Sequence, residues 1–134
     1  MEELWRLSAA QIALGIKERT FSATQVADSV LDRVAEKNSE LNAITVEFPE
    51  QVRAAAVAAD DAVANGRELG PLHGVPVTIK ENIDVAGQAT PNGVPAFADL
   101  MASEDAPLVK NLLDAGAIII GRTNCLEFSM RGTT

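Results

Sequence analysis

The stretch GPLHGVPVTIKENIDVAG, residues 70–87, places a lysine, Lys80, inside a run of alternating apolar residues. Strand side chains alternate between faces with a period of two. Read as one strand over 75–85, the segment puts Val75, Val77, Ile79, Ile83 and Val85 on one face. Pro76, Thr78, Lys80, Asn82 and Asp84 fall on the other. A half-exposed strand would make Lys80 an ordinary surface charge. A strand covered on both sides would strip water from its ammonium group and favour the neutral amine, which is a proton acceptor. The surrounding elements decide between these readings.

Working outward, SEDAPLVKNLLDAG (103–116) predicts a helix capped by Asp105, with Pro107 in its first turn and Gly116 closing it. AIIIG (117–121) follows at once as a continuous apolar strand of the kind buried on both faces. Upstream, Ser8 caps a short helix over 9–18 with Ile12 and Ile16 on one face. Ser22-Ala23-Thr24-Gln25 forms a capping box that opens a helix to about Lys37, burying Val26, Val30 and Val34 and stopping near Asn38. LNAITVEF (41–48) reads as a strand. Pro49 and the alanine-rich segment 50–64 read as a third helix, ended by Gly66. Alternation of strands and helices after 41 implies an α/β fold whose sheet is partly parallel and covered by helices. On that plan helices flank Lys80's sheet on both sides. The loop of about 87–103, with Pro91, Asn92, Gly93 and Pro95, is longer than most loops inside a domain and is a candidate functional segment.

Composition narrows the function. The chain has 134 residues, with 19 acidic against 11 basic side chains and a net charge of −8. That balance argues against nucleic acid or an anionic membrane as a partner, because phosphate binding needs a basic surface. No apolar run is long enough for a transmembrane helix, and the acidic, interrupted start is unlike a signal peptide. One cysteine, Cys125, excludes an internal disulfide and a multi-cysteine metal site. A reduced, cytoplasmic protein is expected. The single histidine, His73, reads as a turn residue, and Cys125 as a small packing residue. Ser-x-x-Lys, Gly-x-Ser-x-Gly and the phosphate-binding glycine loops are all absent, and His73 has no partner ligands for a metal. From the residues alone, Lys80 is half of an acid–base device without its nucleophile.

GPLHGVPVTIKENIDVAG, DAPLVKNLLDAGAIIIGRTN and the closing EFSMRGTT closely resemble the N-terminal part of the amidase signature enzymes. That family includes bacterial amidases, indoleacetamide hydrolases, fatty acid amide hydrolases and the A subunit of glutamyl-tRNA amidotransferase. The resemblance implies that Lys80 is the catalytic base of a serine–cis-serine–lysine relay. In that relay a bridging serine passes the proton of a nucleophilic serine to the lysine. The nucleophile forms an acyl-enzyme, backbone N–H groups stabilise the oxyanion, and water completes hydrolysis without a metal or organic cofactor. Both family serines belong to glycine- and serine-rich segments beyond Thr134; Ser103 and Ser129 match neither. The segment around Ser129, Met130 and Gly132 resembles the wall of the acyl-binding pocket. The family often carries proline or another polar residue where Cys125 and Leu126 stand, and glycine or serine near Arg131.

The expectation is therefore an N-terminal fragment, 1–134, of a single amidase domain. It comprises a helical segment over 1–40 and the start of the α/β core over 41–134, with an incomplete sheet. It should act on a small-molecule amide only in the complete enzyme, be inactive alone, and associate with itself or with a complementing C-terminal part. One alternative is the A subunit of the amidotransferase. Another is a non-catalytic interaction module that binds through an open sheet edge.

Overall fold

The structure, a computed structural model, describes residues 3–132; Met1, Glu2, Thr133 and Thr134 lie outside it. A 3-10 turn at Leu4–Arg6 precedes helices α1 (Ala9–Lys17) and α2 (Ala23–Leu41), then strand β1 (Ile44–Glu47) and helix α3 (Pro49–Ala64). Strand β2 (Pro76–Lys80), helix α4 (Pro107–Asp114) and strand β3 (Ile118–Thr123) follow.

Local chemistry explains the helical half. Ser8 with Gln11 and Ser22 with Gln25 both close capping boxes, satisfying donors that the first turn leaves unpaired. Asp60 of α3 reinforces the second cap: its carboxylate accepts from the backbone N–H of Ala23 at 2.6 Å and Thr24 at 3.1 Å, and from the Thr24 hydroxyl at 2.6 Å. Pro49 stands in the first turn of α3. Ile12, Ile16, Val26, Leu31, Val52 and Ala56 pack together as one core, with Val30 and Val34 half-buried against it. Helix α2 runs past the expected stop near Asn38, to Leu41. There Asn42 takes the left-handed conformation (φ 49°), and the Asn38 amide instead bridges to the backbone of Ile44.

The sheet is mixed, in the order β1-β3-β2. Strand β3 pairs antiparallel with β1 and parallel with β2. Its inner residues are buried, as the AIIIG reading requires, because cores lie on both sides. Ile118 and Ile120 pack with α1, α2 and α3. Ile119 joins Ile79, Val85 and Val109 under α4.

Three expectations are corrected. The strand expected over 75–85 ends at Lys80: the Ile83 N–H turns back to the Lys80 carbonyl at 3.0 Å, so Asn82 and Asp84 lie beyond the strand. The apolar residues expected on one face divide between two cores. Val75 and Val77 join the α1–α3 core, and Ile79, Ile83 and Val85 the α4 core, with a register irregularity between Val77 and Thr78 where the ladder is locally turned. Asp105 does not cap α4, whose N-cap is Ala106 with no side-chain bond. Its carboxylate is engaged by the Ala86 N–H at 2.8 Å and so pins the start of the long loop.

Asp60→Ala removes three bonds that join α3 to the start of α2. It should lower stability by about 1–2 kcal/mol, the range of a lost N-cap, read as a lower urea midpoint with an unchanged slope.

Candidate functional site at the carboxyl ends of the parallel strands

Because β2 and β3 are parallel, their carboxyl ends lie side by side, with Lys80 opposite Thr123. In open α/β sheets this end is where ligands bind. After β3 the chain crosses over the strand ends through Asn124–Gly132 and brings Ser129 to Lys80.

Lys80 is half-buried, at the last position of β2. Its Nζ donates to Ser129 Oγ at 3.1 Å, Asn82 Nδ2 donates to the same oxygen at 3.4 Å, and Cys125 Sγ lies 3.4 Å from it. Cys125 is buried and its S–H donates to the Leu126 carbonyl at 3.1 Å, which leaves the sulfur free to accept from Ser129. The Ser129 oxygen thus meets two side-chain nitrogens and the sulfur. Backbone geometry enforces this approach. Phe128 (φ 50°) and Ser129 (φ 58°) both occupy the left-handed region, which is costly for side chains of this size and clusters at functional sites. The Phe128 N–H is held by the Asn92 carbonyl at 2.8 Å, and its ring meets Phe97 edge-on with centroids 6.0 Å apart.

A cleft of about 370 Å³ opens beside this cluster, walled by Pro91, Val94 and Pro95 of the long loop and by Cys125, Glu81 and Arg131. Arg131 turns back to Glu127, with Nε 3.0 Å from the carboxylate, so its long side chain edges the cleft. Among the described residues no group of three or more His, Cys, Asp or Glu is placed to hold a metal.

The two carboxylates nearest Lys80 in sequence are turned elsewhere. Glu81 is buried and accepts from the Thr45 hydroxyl. Asp84 acts on Arg122, whose guanidinium is the most buried charge among the described residues at 1% exposure. Burial pushes the Arg122 group down from its usual range, and Glu81 and then Asp84 pull it back. The guanidinium spans three backbone carbonyls: Ile83 at 2.6 Å, Ala89 at 3.0 Å and Lys80 at 3.4 Å.

Of the sequence-derived site residues, Lys80 and Ser129 meet. Met130 is 86% exposed and does not line the cleft, and Gly132 is exposed with open space around it. His73 is a turn residue whose Nε2 donates to the Ala59 carbonyl at 2.9 Å. The sequence reading missed Arg122, Asn82 and the Cys125 thiol. For Arg122 a signal existed: it directly continues a strand read as buried on both faces, the same argument that drew attention to Lys80.

Comparison with known proteins agrees with this geometry. The family described as Amidase matches residues 25–134. The chain belongs to the amidase family. It is 49% identical over 131 residues to an indoleacetamide hydrolase of Bradyrhizobium diazoefficiens, covering 98% of this chain and 25% of that protein. It is 34% identical to the A subunit of a glutamyl-tRNA(Gln) amidotransferase from Natranaerobius thermophilus, covering 98% of this chain and 27% of that protein. A bacterial aryl acylamidase of the amidase signature family superposes with a TM-score of 0.88 at 26% identity, over 96% of this chain and 27% of that one. The chain therefore spans about a quarter of the relatives it matches. Its mixed sheet with helices on both faces is the α/β arrangement expected of this family's N-terminal part.

Gly93 ties the long loop to the site: its φ is +70°, and a Cβ there would sit 2.4 Å from the Cys125 carbonyl oxygen. Gly66 has a similar φ of +64° but nothing within 4 Å. Both alanine variants should lose the roughly 1–2 kcal/mol of a left-handed non-glycine residue. Gly93→Ala should lose visibly more in urea unfolding, the excess reporting the backbone clash.

Proposed function

We propose that residues 1–134 form the N-terminal part of a single amidase domain that hydrolyses the C–N bond of a small-molecule amide, with Lys80 as its general base. One observation carries this reading: in a chain of the amidase family, a half-buried lysine ends a parallel strand with a hydroxyl 3.1 Å from its Nζ and no carboxylate bonded to it among the described residues. An opposite charge in contact would hold the ammonium form, whereas loss of water on completion of the domain would favour the amine that a base requires.

In the proposed mechanism the neutral Lys80 amine takes a proton through a bridging serine from a nucleophilic serine, both supplied by the rest of the domain. The nucleophile's oxygen bonds to the amide carbon, the C–N bond breaks as the leaving nitrogen takes up the proton, and water hydrolyses the resulting ester. Ser129 is not the nucleophile in this reading. It matches neither of the glycine- and serine-rich segments that carry the family's two serines. Ser129 fills the place beside the amine, while Met130 and Gly132 contribute to the acyl-binding wall once further chain covers them.

Amide hydrolysis is favoured over glutaminase work in an amidotransferase by the 49% identity to the indoleacetamide hydrolase, against 34% to the amidotransferase chain. Bound to a nucleic acid directly, a chain of net charge −8 would be opposed by its own field. Among the described residues no helix is long and apolar enough to cross a membrane, and we assign the enzyme to the cytoplasm.

Three outcomes test the reading. Residues 1–134 alone should hydrolyse phenylacetamide no faster than buffer, since removal of the nucleophile removes nearly all catalysis of such a unit. In the complete enzyme Lys80→Arg should abolish acylation near neutral pH, because arginine keeps the charge and cannot surrender its proton. Retention of most activity by that variant would make Lys80 structural. The isolated segment, with β1 and β2 as open edges of its sheet, should also self-associate or bind a complementing C-terminal part; a sharp monomer in sedimentation at tens of micromolar, with no complementation, would oppose this.

A further inference from the structure

We infer that Arg122 is the positioning residue for Lys80: its guanidinium fork clamps the carbonyls of Lys80, Ile83 and Ala89 and so sets where β2 ends and where the Lys80 amine stands. The inference rests on the proposed role of Lys80 as base.

Arg122 is 1% exposed, with no carboxylate in ion-pair contact among the described residues and with its Nε atom unpartnered. Removing a cation from water costs several kcal/mol, and a well-packed apolar residue in its place is often neutral or stabilising. It continues a strand that opens with Ile118, Ile119 and Ile120, so an apolar side chain at 122 would suit the strand. What only a guanidinium supplies is a rigid planar set of donors reaching several acceptors at once.

Those acceptors belong to three different pieces of backbone. Lys80 O ends β2, Ile83 O belongs to the turn that terminates it, and Ala89 O lies at the neck of the long loop that walls the cleft. The neck is itself closed by an Ala89–Met101 bridge and by Gly87 N–H to the Ala102 carbonyl at 2.9 Å. Arg122 therefore couples the base-bearing strand end to the wall of the site from beneath. Glu81 N–H donates to the Thr123 carbonyl at 3.0 Å, and the Glu81 carboxylate is taken by Thr45, so the residue after Lys80 is held as well. Without the fork, the Lys80 and Ile83 carbonyls lose a shared donor and the strand end loses its tie to the loop.

Misplacement of a reacting group by about 1 Å costs on the order of 10²-fold in rate. The test uses the complete enzyme with phenylacetamide as substrate and compares wild type, Arg122→Met, Arg122→Lys, Lys80→Met and, as a surface control, Arg53→Met. Arg122→Met should lower kcat by roughly 10- to 100-fold with KM changed less than about twofold. Arg122→Lys, which restores a charge and one arm of the clamp, should recover part of that loss. A second readout is independent of turnover: competitive acetylation followed by peptide mass spectrometry should show altered Lys80 reactivity in Arg122→Met, with exposed Lys110 unchanged. If Arg122→Met does not fold, Arg122→Lys carries the test by the same two readouts. Normal kcat and normal Lys80 labelling in a folded Arg122 variant would overturn the inference. So would a loss in which KM rises and Lys80 labelling stays unchanged. Activity retained by Lys80→Met would instead overturn the base assignment, which separates the two failures.

Discussion

The constraint on which the rest depends is that β3 must be buried on both faces and paired on both edges. Its six residues join an antiparallel neighbour to a parallel one and divide the two cores. A sheet with helices on both sides leaves its edges and its strand ends to water, and at the strand ends chemistry can be presented without unpairing a ladder. Lys80 and Thr123 finish their strands at the same level. The oddity of a lysine in an apolar run is thereby resolved: Lys80 belongs to the strand by register and to the site by position.

Polar groups beneath that level are balanced with little surplus. The Thr45 hydroxyl serves Glu81, Arg122 serves three carbonyls, and Asp105 serves the Ala86 N–H. Each of these side chains comes from one segment and satisfies the backbone or side chain of another. Such bonds add little net stability when made, yet leave a buried group orphaned when lost. They act as fasteners between elements: Arg122 ties the long loop to the sheet at Ala89, and Asp105 ties its far end back to Ala86.

Much of the fold was legible in the sequence because its signals are local. Ser8 and Ser22 with their glutamines, Pro49, and the glycines after α3 and α4 each mark a boundary through chemistry completed within a few residues. The misses share the opposite property. At the end of β2 the Lys80 and Ile83 carbonyls meet Arg122, a side chain 42 residues from Lys80, a contact no local pattern announces. Whether Asp105 caps its own helix or pins Ala86 depends on where the loop returns. The Ser129–Lys80 contact, 49 residues apart, needs two left-handed residues in succession, and neither Phe128 nor Ser129 advertises that conformation.

A base made from lysine also ties catalysis to the completeness of the sheet. A lysine shifts toward its neutral form through lost hydration, not through a neighbour that stabilises its charge. In this chain Lys80 is half-buried, and its hydrogen-bonding partner is a hydroxyl that can accept but carries no charge. Its backbone carbonyl is held by the Arg122 guanidinium at 3.4 Å. One side of Lys80 remains open to water. On the proposed reading, whatever covers that side performs two tasks at once: it brings the serines to the amine and removes the water that keeps the amine protonated. On that reading, nucleophile and base are activated by the same closure.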